Sequence, residues 1–359
     1  MRATNKTGLY IHVPFCEKKC GYCSFYSVAG RNGEIDSWLD ALEIEARGKF
    51  SAAPIYTLYI GGGTPSVLNI SQWEKLISII RKYFNVEDLI EATTEANPNS
   101  LTQEHINFLR ANNFTRISLG VQSLNDNELK LLGRLHDSYK ALKAMELVRE
   151  SGLILNCDLI FGIPGQSLRS WAKSLKGVLA FADHISTYQL TLEPDTPLGK
   201  KYNNAALNDA GYKFYRYAQY YLPRKNFQQY EISNFAPENF ECQHNLLYWN
   251  QSDVIALGPS AVSYINGVRF KNASTLEEYC RGEFKIEREE LSERERAIEL
   301  SILSLRTKLG IKRANLLPEI EAVIDSLPDD LFVKTEERIA LTPRGMRLGN
   351  SIWSEIIDV

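Results

Sequence analysis

The chain has 359 residues, 44% of them hydrophobic and 24% charged, with a formal net charge of −3. That composition suits a soluble globular chain long enough for one large domain and a smaller one. No basic excess advertises nucleic acid or an anionic membrane, and no run of about eighteen apolar residues exists to span one.

The opening stretch, MRATNKTGLYIHVPFC, lacks the apolar segment of a secretory leader, so a cytoplasmic location is expected. In that setting six cysteines bind metal, catalyse or sit buried rather than pair as disulfides.

GLYIHV (8–13) predicts a first strand and IDSWLDALEIEARGKF (35–50) a helix with Trp38, Leu39, Leu42 and Ala46 on one side. IYTLYI (55–60) predicts a second strand that ends at Gly61. The next helix is expected to open at SQWE (71–74) with Ser71 and Glu74 as a capping box, and to run to about Phe84. LIEATTE (89–95), FTRISLGV (114–121), LILNCDLIFG (153–162) and ISTYQLTLE (185–193) predict four more strands. Helices are expected between them at 102–113, 125–133, 139–151 and 168–181.

Six βα units predict a parallel sheet covered by helices, as an incomplete barrel or a doubly wound sheet. In both, ligands bind at the C-terminal ends of the strands. Beyond about residue 200 the rhythm changes. A Tyr-rich helix (211–221) leads to an irregular region, and Asn266-Gly267 between two apolar runs predicts a hairpin. An amphipathic helix (292–310) precedes a tail that reads as a short β pair followed by a helix, a winged-helix-like ending. The expected organisation is therefore a unit at 1–200 and a second at 201–359.

Three segments carry chemistry. Cys16, Cys20 and Cys23 form C-x3-C-x2-C. A closed structural zinc site takes four N or S ligands, one more than this loop supplies. A [4Fe–4S] cube held by three cysteines keeps one iron open for a substrate or cofactor. Zinc, or thiols without metal, stay open as alternatives. GGGTPS (61–66) follows the second strand; its glycines expose backbone N–H and C=O, and a tight turn would need one glycine rather than three. The loop lacks the GK[ST] ending of a phosphate-binding P-loop. Third, polar residues recur near strand ends: Glu95 in EANP, Gln122 in GVQS, Asp158 in NCDLIFG and Arg134 in LLGRLH. Their convergence on one barrel mouth suits a polar ligand.

Taken together, YIHVPFCEKKCGYCSF, GGGTP, EANP, GVQS and DLIFGIPGQ resemble the radical S-adenosylmethionine (SAM) superfamily. Within it the chain is similar to the family of oxygen-independent coproporphyrinogen III dehydrogenase (HemN) and its haem-chaperone relatives (HemW). The resemblance spans nearly the whole chain. It implies an α/β fold, an incomplete (β/α)6 barrel with a smaller C-terminal α+β domain. It implies that Cys16, Cys20 and Cys23 bind a [4Fe–4S] cluster whose fourth iron takes SAM. It implies SAM contacts from Tyr10, Tyr22, Gly62, Gly63, Thr64, Glu95, Gln122, Arg134 and Asp158.

Two features separate the relatives. The dehydrogenase pattern continues to a fourth cysteine where this chain has Phe25, and HNLLYW (244–249) matches the HNxxYW mark of the haem chaperones. His244 and Tyr248, four residues apart, share a face if that segment is helical. His244 is thus a candidate haem ligand, with the rings covering the porphyrin; a buried histidine bonded inside a core is the other reading of the same residues. Cys242 precedes it as C-x-H. Relatives often place a histidine in GPSAVSY (258–264), where this chain has Val262. The resemblance implies haem or a porphyrin as ligand, haem-accepting membrane proteins and an electron donor as partners, and haem delivery as the activity. The dehydrogenase reaction, or radical chemistry on another tetrapyrrole, stands as the alternative.

Overall fold

Alternation along the strands builds the barrel. In β1 (Thr7–Val13) Leu9, Ile11 and Val13 are buried under the outer helices, and the pleat turns Gly8, Tyr10 and His12 to the opposite face. The same division repeats in β2 (Ser51–Gly62), β3 (Glu91–Ala96), β4 (Arg116–Gln122), β5 (Ile154–Phe161) and β6 (His184–Gln189). These six run parallel and pair in chain order, β1 to β6. The computed structural model describes residues 6–49, 51–202, 205–284 and 287–358.

The outer helices are α1 (Ile35–Gly48), α2 (Ile70–Tyr83), α3 (Gln103–Ala111), α4 (Asp126–Leu132), α5 (Ser138–Ser151) and α6 (Leu168–Val178). The side chains expected to face inward from α1, Trp38, Leu39, Leu42 and Ala46, are all buried. Phe50, where that helix was expected to end, lies outside the described residues. The cap of α2 differs from expectation. Asn69, not Ser71, is the cap: its Oδ1 accepts from Gln72 N at 2.9 Å while Gln72 Oε1 accepts from Asn69 N at 3.1 Å. Asparagine caps as well as serine does, and the helix starts two residues earlier than the Ser-x-x-Glu pattern indicated.

Downstream of α7 (Ala205–Tyr221) the chain returns to the barrel. A short strand, β7 (Asn234–Ala236), pairs antiparallel with β6, and β8 (Val254–Leu257) pairs parallel beside β1, from Gly8↔Val254 to Ile11↔Leu257. This seventh parallel strand was not expected, because VIAL is too short to read as one. The predicted hairpin is present as β9 (Val262–Ile265) and β10 (Val268–Lys271), followed by β11 (Glu287–Glu290). Asn266 and Gly267 have φ of 53° and 86°, the left-handed pair that a two-residue hairpin turn needs. The barrel's hydrophobic cluster draws on both sides of residue 200, including Phe214, Phe235, Leu257 and Tyr279. Among the described residues no helix is long and apolar enough to cross a membrane.

Between β7 and β8 lies α8 (Gln243–Trp249), which carries HNLLYW. The C-terminal part has its own core of Leu305, Ile311, Ile320, Ile324, Ile339, Ile352 and Ile356. It is built from α9 (Glu293–Leu305), β12 (Ile311–Lys312), α10 (Pro318–Ser326), β13 (Phe332–Lys334), β14 (Arg338–Leu341) and α11 (Gly349–Ile357), with the strands in the order β12–β14–β13. A three-stranded sheet against helices matches the winged-helix-like expectation.

Glu231 meets this part through a β-bridge to Thr307, and Arg306 is its charged neighbour. Burial pushes the Glu231 carboxyl up from 4.5 to about 7, against the pull of Arg306. The native state therefore holds a proton that the unfolded chain has already lost, and stability from this group falls as pH rises from about 4.5 to about 7. Urea titrations across that window test it. Wild type is expected to lose up to about 3 kcal/mol relative to Glu231→Gln, at about 1.4 kcal/mol per pH unit. Parallel profiles for the two proteins would contradict it.

Candidate functional site

The three-cysteine loop leaves β1 and is clamped from both sides. Gly63 N donates to Val13 O at 2.7 Å and Thr64 N to Phe15 O at 2.8 Å, so the GGGTP loop holds its start. Gly21 N donates to Leu132 O at 3.0 Å, and Leu198 N donates to Gly21 O at 2.8 Å, fixing its middle. The three thiols are partly buried and free of disulfides. Cys16 Sγ lies 3.4 Å from Thr64 Oγ1, and Arg134 Nη1 donates to Cys20 Sγ at 3.5 Å. Burial pushes the Cys16 and Cys23 thiols up, so bound metal charge is what would hold them as thiolates.

Among the described residues no three His, Cys, Asp or Glu side chains converge to hold one metal ion. A [4Fe–4S] cube would take each of the three cysteines on a different iron. Of the other cysteines, Cys157 is buried against Met145 Sδ at 3.5 Å, Cys242 is buried, and Cys280 is exposed.

The glycine loop corrects one expectation. Packing alone demands all three glycines. A Cβ on Gly61 would lie 2.8 Å from the Glu95 carboxyl, one on Gly62 2.5 Å from His12 Nδ1, and one on Gly63 2.5 Å from Phe15 O. Three glycines are thus no evidence of ligand contact in themselves. The loop's N–H groups are also spent inside the protein: Gly62 N on Glu95 Oε2 at 3.1 Å, Gly63 N and Thr64 N on the cysteine loop. The N–H groups of Gly62, Gly63 and Thr64 are therefore not what a ligand would meet there.

The inward faces of the strands form a polar lumen. In layers from the N-terminal end stand Gly8, Thr57 and Glu91; then Tyr10, Tyr59, Thr93 and Arg116; then Glu95, Ser118, Asn156 and His184. Asp158 stands one layer higher, where its Oδ2 accepts from Ser118 Oγ at 2.9 Å and its Oδ1 from Asn156 Nδ2 at 3.0 Å. Glu95 accepts from Tyr59 OH at 2.9 Å.

Tyr188 exposes 41% of its surface, and burial still pushes its hydroxyl up. Its open face looks into an enclosed lumen, not bulk solvent. Burial, then the neighbouring Asp158, pushes the Glu95 carboxyl up to about 7, and burial raises Asp158 as well. Two carboxyls whose charge is penalised in this way favour a cationic ligand, which would restore it. Arg134 lies across from them, with Nη2 on Gly120 O at 2.8 Å and a buried Nε that has no partner. That donor suits a carboxylate. Gln122 sits at the end of β4 with φ of 63°. Tyr22 is partly buried beside Arg134, in the small cluster of Leu132, Ile160 and Leu198.

The floor was not foreseen. Glu91 receives the N-terminus of α8: Gln243 N at 3.0 Å, His244 N at 3.1 Å and Cys242 Sγ at 3.3 Å. That places HNLLYW under the N-terminal end of the barrel, opposite the cysteines. His244 is 1% exposed, its Nδ1 2.8 Å from Thr57 Oγ1 and its ring stacked 5.1 Å from Tyr59. Burial holds its pKa at about 3, so it is neutral. A Cβ on Gly8 would lie 2.9 Å from Leu247, so glycine there admits the helix. At the far end, the Arg306 guanidinium lies 4.5 Å from the Trp249 ring and 4.9 Å from that of Trp353, tying α8 to the C-terminal part. His244 itself is buried, but Tyr248 is 36% exposed and Trp249 half-buried, and the bond to the His244 ring comes from the Thr57 hydroxyl rather than a carbonyl, with Nε2 unpartnered.

The structure thus gathers Glu95, Asp158, Gly62, Gly63, Thr64, Arg134, Tyr22 and the three cysteines at the upper lumen; Tyr10 stands a layer below, its ring 6.5 Å from that of His244 on the floor. Sequence reasoning missed Tyr59, Ser118, Asn156, His12 and Thr57. The signal was a polar side chain at every second position of strands otherwise apolar.

Residues 10–177 match the model of the radical SAM superfamily. The chain is 31% identical to the haem chaperone HemW of Lactococcus lactis over 97% of its length and 96% of that protein's. It is 34% identical to HemW of Mycobacterium tuberculosis, over 96% of this chain and 93% of the relative. Among solved structures, coproporphyrinogen III oxidase (HemN) from Escherichia coli superposes with a TM-score of 0.86 at 25% identity. That match covers 99% of this chain and 91% of the other.

Proposed function

The chain belongs to the HemW family of the radical SAM superfamily, and from that premise we propose that it is a haem chaperone, which binds a [4Fe–4S] cluster, SAM and haem and hands haem to haem-requiring proteins. The likeness to haem chaperones over almost the full length carries this reading. Phe25, 71% exposed at the position of the dehydrogenase's fourth cysteine, supports it.

Cys16, Cys20 and Cys23 hold the cluster. The cluster with SAM supplies one-electron chemistry at the sulfonium. Around that pair the residues divide the work. The carbonyl edge at Gly62 and Gly63 takes the ammonium end of SAM, and Arg134 takes its carboxylate. Glu95 and Asp158 balance the positive sulfur. Tyr10 and Tyr22 wall the site from water. The haem acceptors are membrane haemoproteins and a separate electron donor supplies the reducing equivalent; the chaperone works in the cytoplasm.

A second reading is favoured by the superposition on the E. coli oxidase, namely oxidative decarboxylation of coproporphyrinogen III. Anaerobically reconstituted protein separates the two. The chaperone reading expects a Soret band on titration with haem, and no protoporphyrinogen IX from coproporphyrinogen III with SAM and dithionite. Turnover of that substrate would replace it with the dehydrogenase reading. Absence of both haem binding and iron–sulfur absorbance would remove the two together.

A further inference from the structure

We propose that His244 and Tyr59 are positioning residues for SAM: the floor helix α8 sets the glycine loop from below, through the lumen. The inference rests on the SAM-binding reading above, and assigns that site two residues on the far side from the cluster.

The connection is continuous. Glu91 fixes the register of α8 by accepting from Gln243 N, His244 N and Cys242 Sγ. Glu91 itself is held by Arg116 at 3.4 Å, whose Nη2 also donates to Phe240 O at 2.9 Å. The start of α8 is therefore tied to two barrel strands. Thr57 orients the His244 imidazole at 2.8 Å, and the ring lies against Tyr59 at a centroid distance of 5.1 Å and an interplanar angle of 27°. Tyr10 stacks on the same tyrosine from the neighbouring strand, at 6.1 Å.

Held between these rings, Tyr59 donates to Glu95 Oε1 at 2.9 Å, and Glu95 Oε2 accepts from Gly62 N at 3.1 Å. Gly61 closes the circle, since a Cβ there would lie 2.8 Å from both the Glu95 carboxyl and the Tyr59 ring. The glycine loop has no room to move independently of Tyr59. The loop's N–H groups are pinned by this chain and by the cysteine loop, so their orientation fixes the carbonyls left to receive the ammonium group. Removing the floor's support frees Tyr59, then Glu95, then Gly62.

Three features set this apart from ordinary core packing. His244 Nε2 is buried and has no partner, so the residue is not there to complete its own hydrogen bonding. Tyr59 OH reaches a carboxylate that faces the ligand, not a backbone group. The path also crosses three layers of the lumen, from Thr57 through Tyr59 to Glu95.

The test measures SAM dissociation constants by equilibrium dialysis on reconstituted wild type, Tyr59→Phe, His244→Ala and the double variant. Iron and sulfide are assayed on the same samples. Each single variant is expected to bind SAM about fivefold more weakly or worse, the size of one lost hydrogen bond, with wild-type iron and sulfide. The double variant should be no weaker than the weaker single, because both act along one path. A His244→Ala protein that melts earlier yet binds SAM within about twofold of wild type would reduce His244 to a structural residue and overturn the inference. Additive losses would overturn it as well. If His244→Ala yields no folded protein, Thr57→Val takes its place, and unchanged SAM affinity there has the same consequence. Wild type that reconstitutes a cluster and binds no SAM strikes the reading beneath.

Discussion

Haem added to His244→Ala protein gives a Soret band of wild-type intensity, while the same variant melts well below wild type. Both halves follow from where HNLLYW sits. His244 is 1% exposed, oriented by Thr57 and packed between Tyr59 and Tyr248. For a porphyrin iron to reach Nε2, α8 must leave the barrel. That withdrawal breaks three bonds to Glu91 and leaves its carboxylate and Arg116 facing an open lumen. The cost of such an opening is several buried polar contacts at once. The expected result is therefore an iron ligand outside α8, with His244 dispensable for haem binding.

The stability half is a cavity argument. Truncating a buried ring removes its contacts and leaves a void, at about 2–4 kcal/mol. For a chain of this size that is a drop of about 3–5 °C in melting temperature. Absorbance titration with haemin and a thermal scan on one preparation check both. Loss of the Soret band with unchanged melting would restore His244 as the haem ligand.

The sequence made the barrel legible, because its outer faces are apolar at every second position while the connecting stretches repeat a helical period. Leu9, Ile11 and Val13 announce the outside of β1 as clearly as Trp38, Leu39 and Leu42 announce the inside of α1. The cysteine loop stood out by its spacing, but spacing left a cluster, zinc or metal-free thiols open, and the wider set of motifs chose among them. What spacing could not convey is which end of the barrel a segment reaches. Glu95 and Glu91 are four residues apart on one strand and point into the same lumen, yet one meets the glycine loop and the other caps α8. HNLLYW lies about 150 residues beyond β3 in the chain (from 91 to 244). Only the parallel pairing of β8 with β1 brings it beneath the floor. The seventh strand was missed for a related reason: four residues carry too little periodicity, and their partner is at the chain's other end. The glycine argument failed differently. A run of three suggested a ligand, but each glycine is demanded by a neighbour, His12, Phe15 or Glu95, that no local reading reveals.

Gly63→Ala is expected to lose both the cluster and SAM, although it touches no thiol. A Cβ there would lie 2.5 Å from Phe15 O and 2.9 Å from Val13 O. Those are the two carbonyls that clamp the loops together, accepting from Thr64 N and Gly63 N. Backbone oxygens in a paired strand end cannot swing aside as a flexible side chain can, so the loops must separate. Phe15 precedes Cys16, and Thr64 is the residue that meets Cys16 Sγ at 3.4 Å. Separation therefore displaces the first cluster ligand and the carbonyl edge in one movement. SAM affinity is expected to fall tenfold or more, since about 1.4 kcal/mol suffices for that and two buried hydrogen bonds are disturbed. Reconstituted iron should fall with it.

Gly48→Ala provides the contrast. It ends α1 with open space where a Cβ would go. There the added methyl lowers the entropy of the unfolded chain and favours helix, for a gain of about 0.5–1 kcal/mol. Iron assay, SAM dialysis and melting on the two variants side by side are expected to show loss of iron and SAM in Gly63→Ala alone and a raised melting temperature in Gly48→Ala alone. Wild-type iron and SAM binding in Gly63→Ala would mean that the cysteine loop and the glycine loop are held apart by something other than each other, and the coupling of cluster to SAM through Phe15 and Thr64 would have to be abandoned.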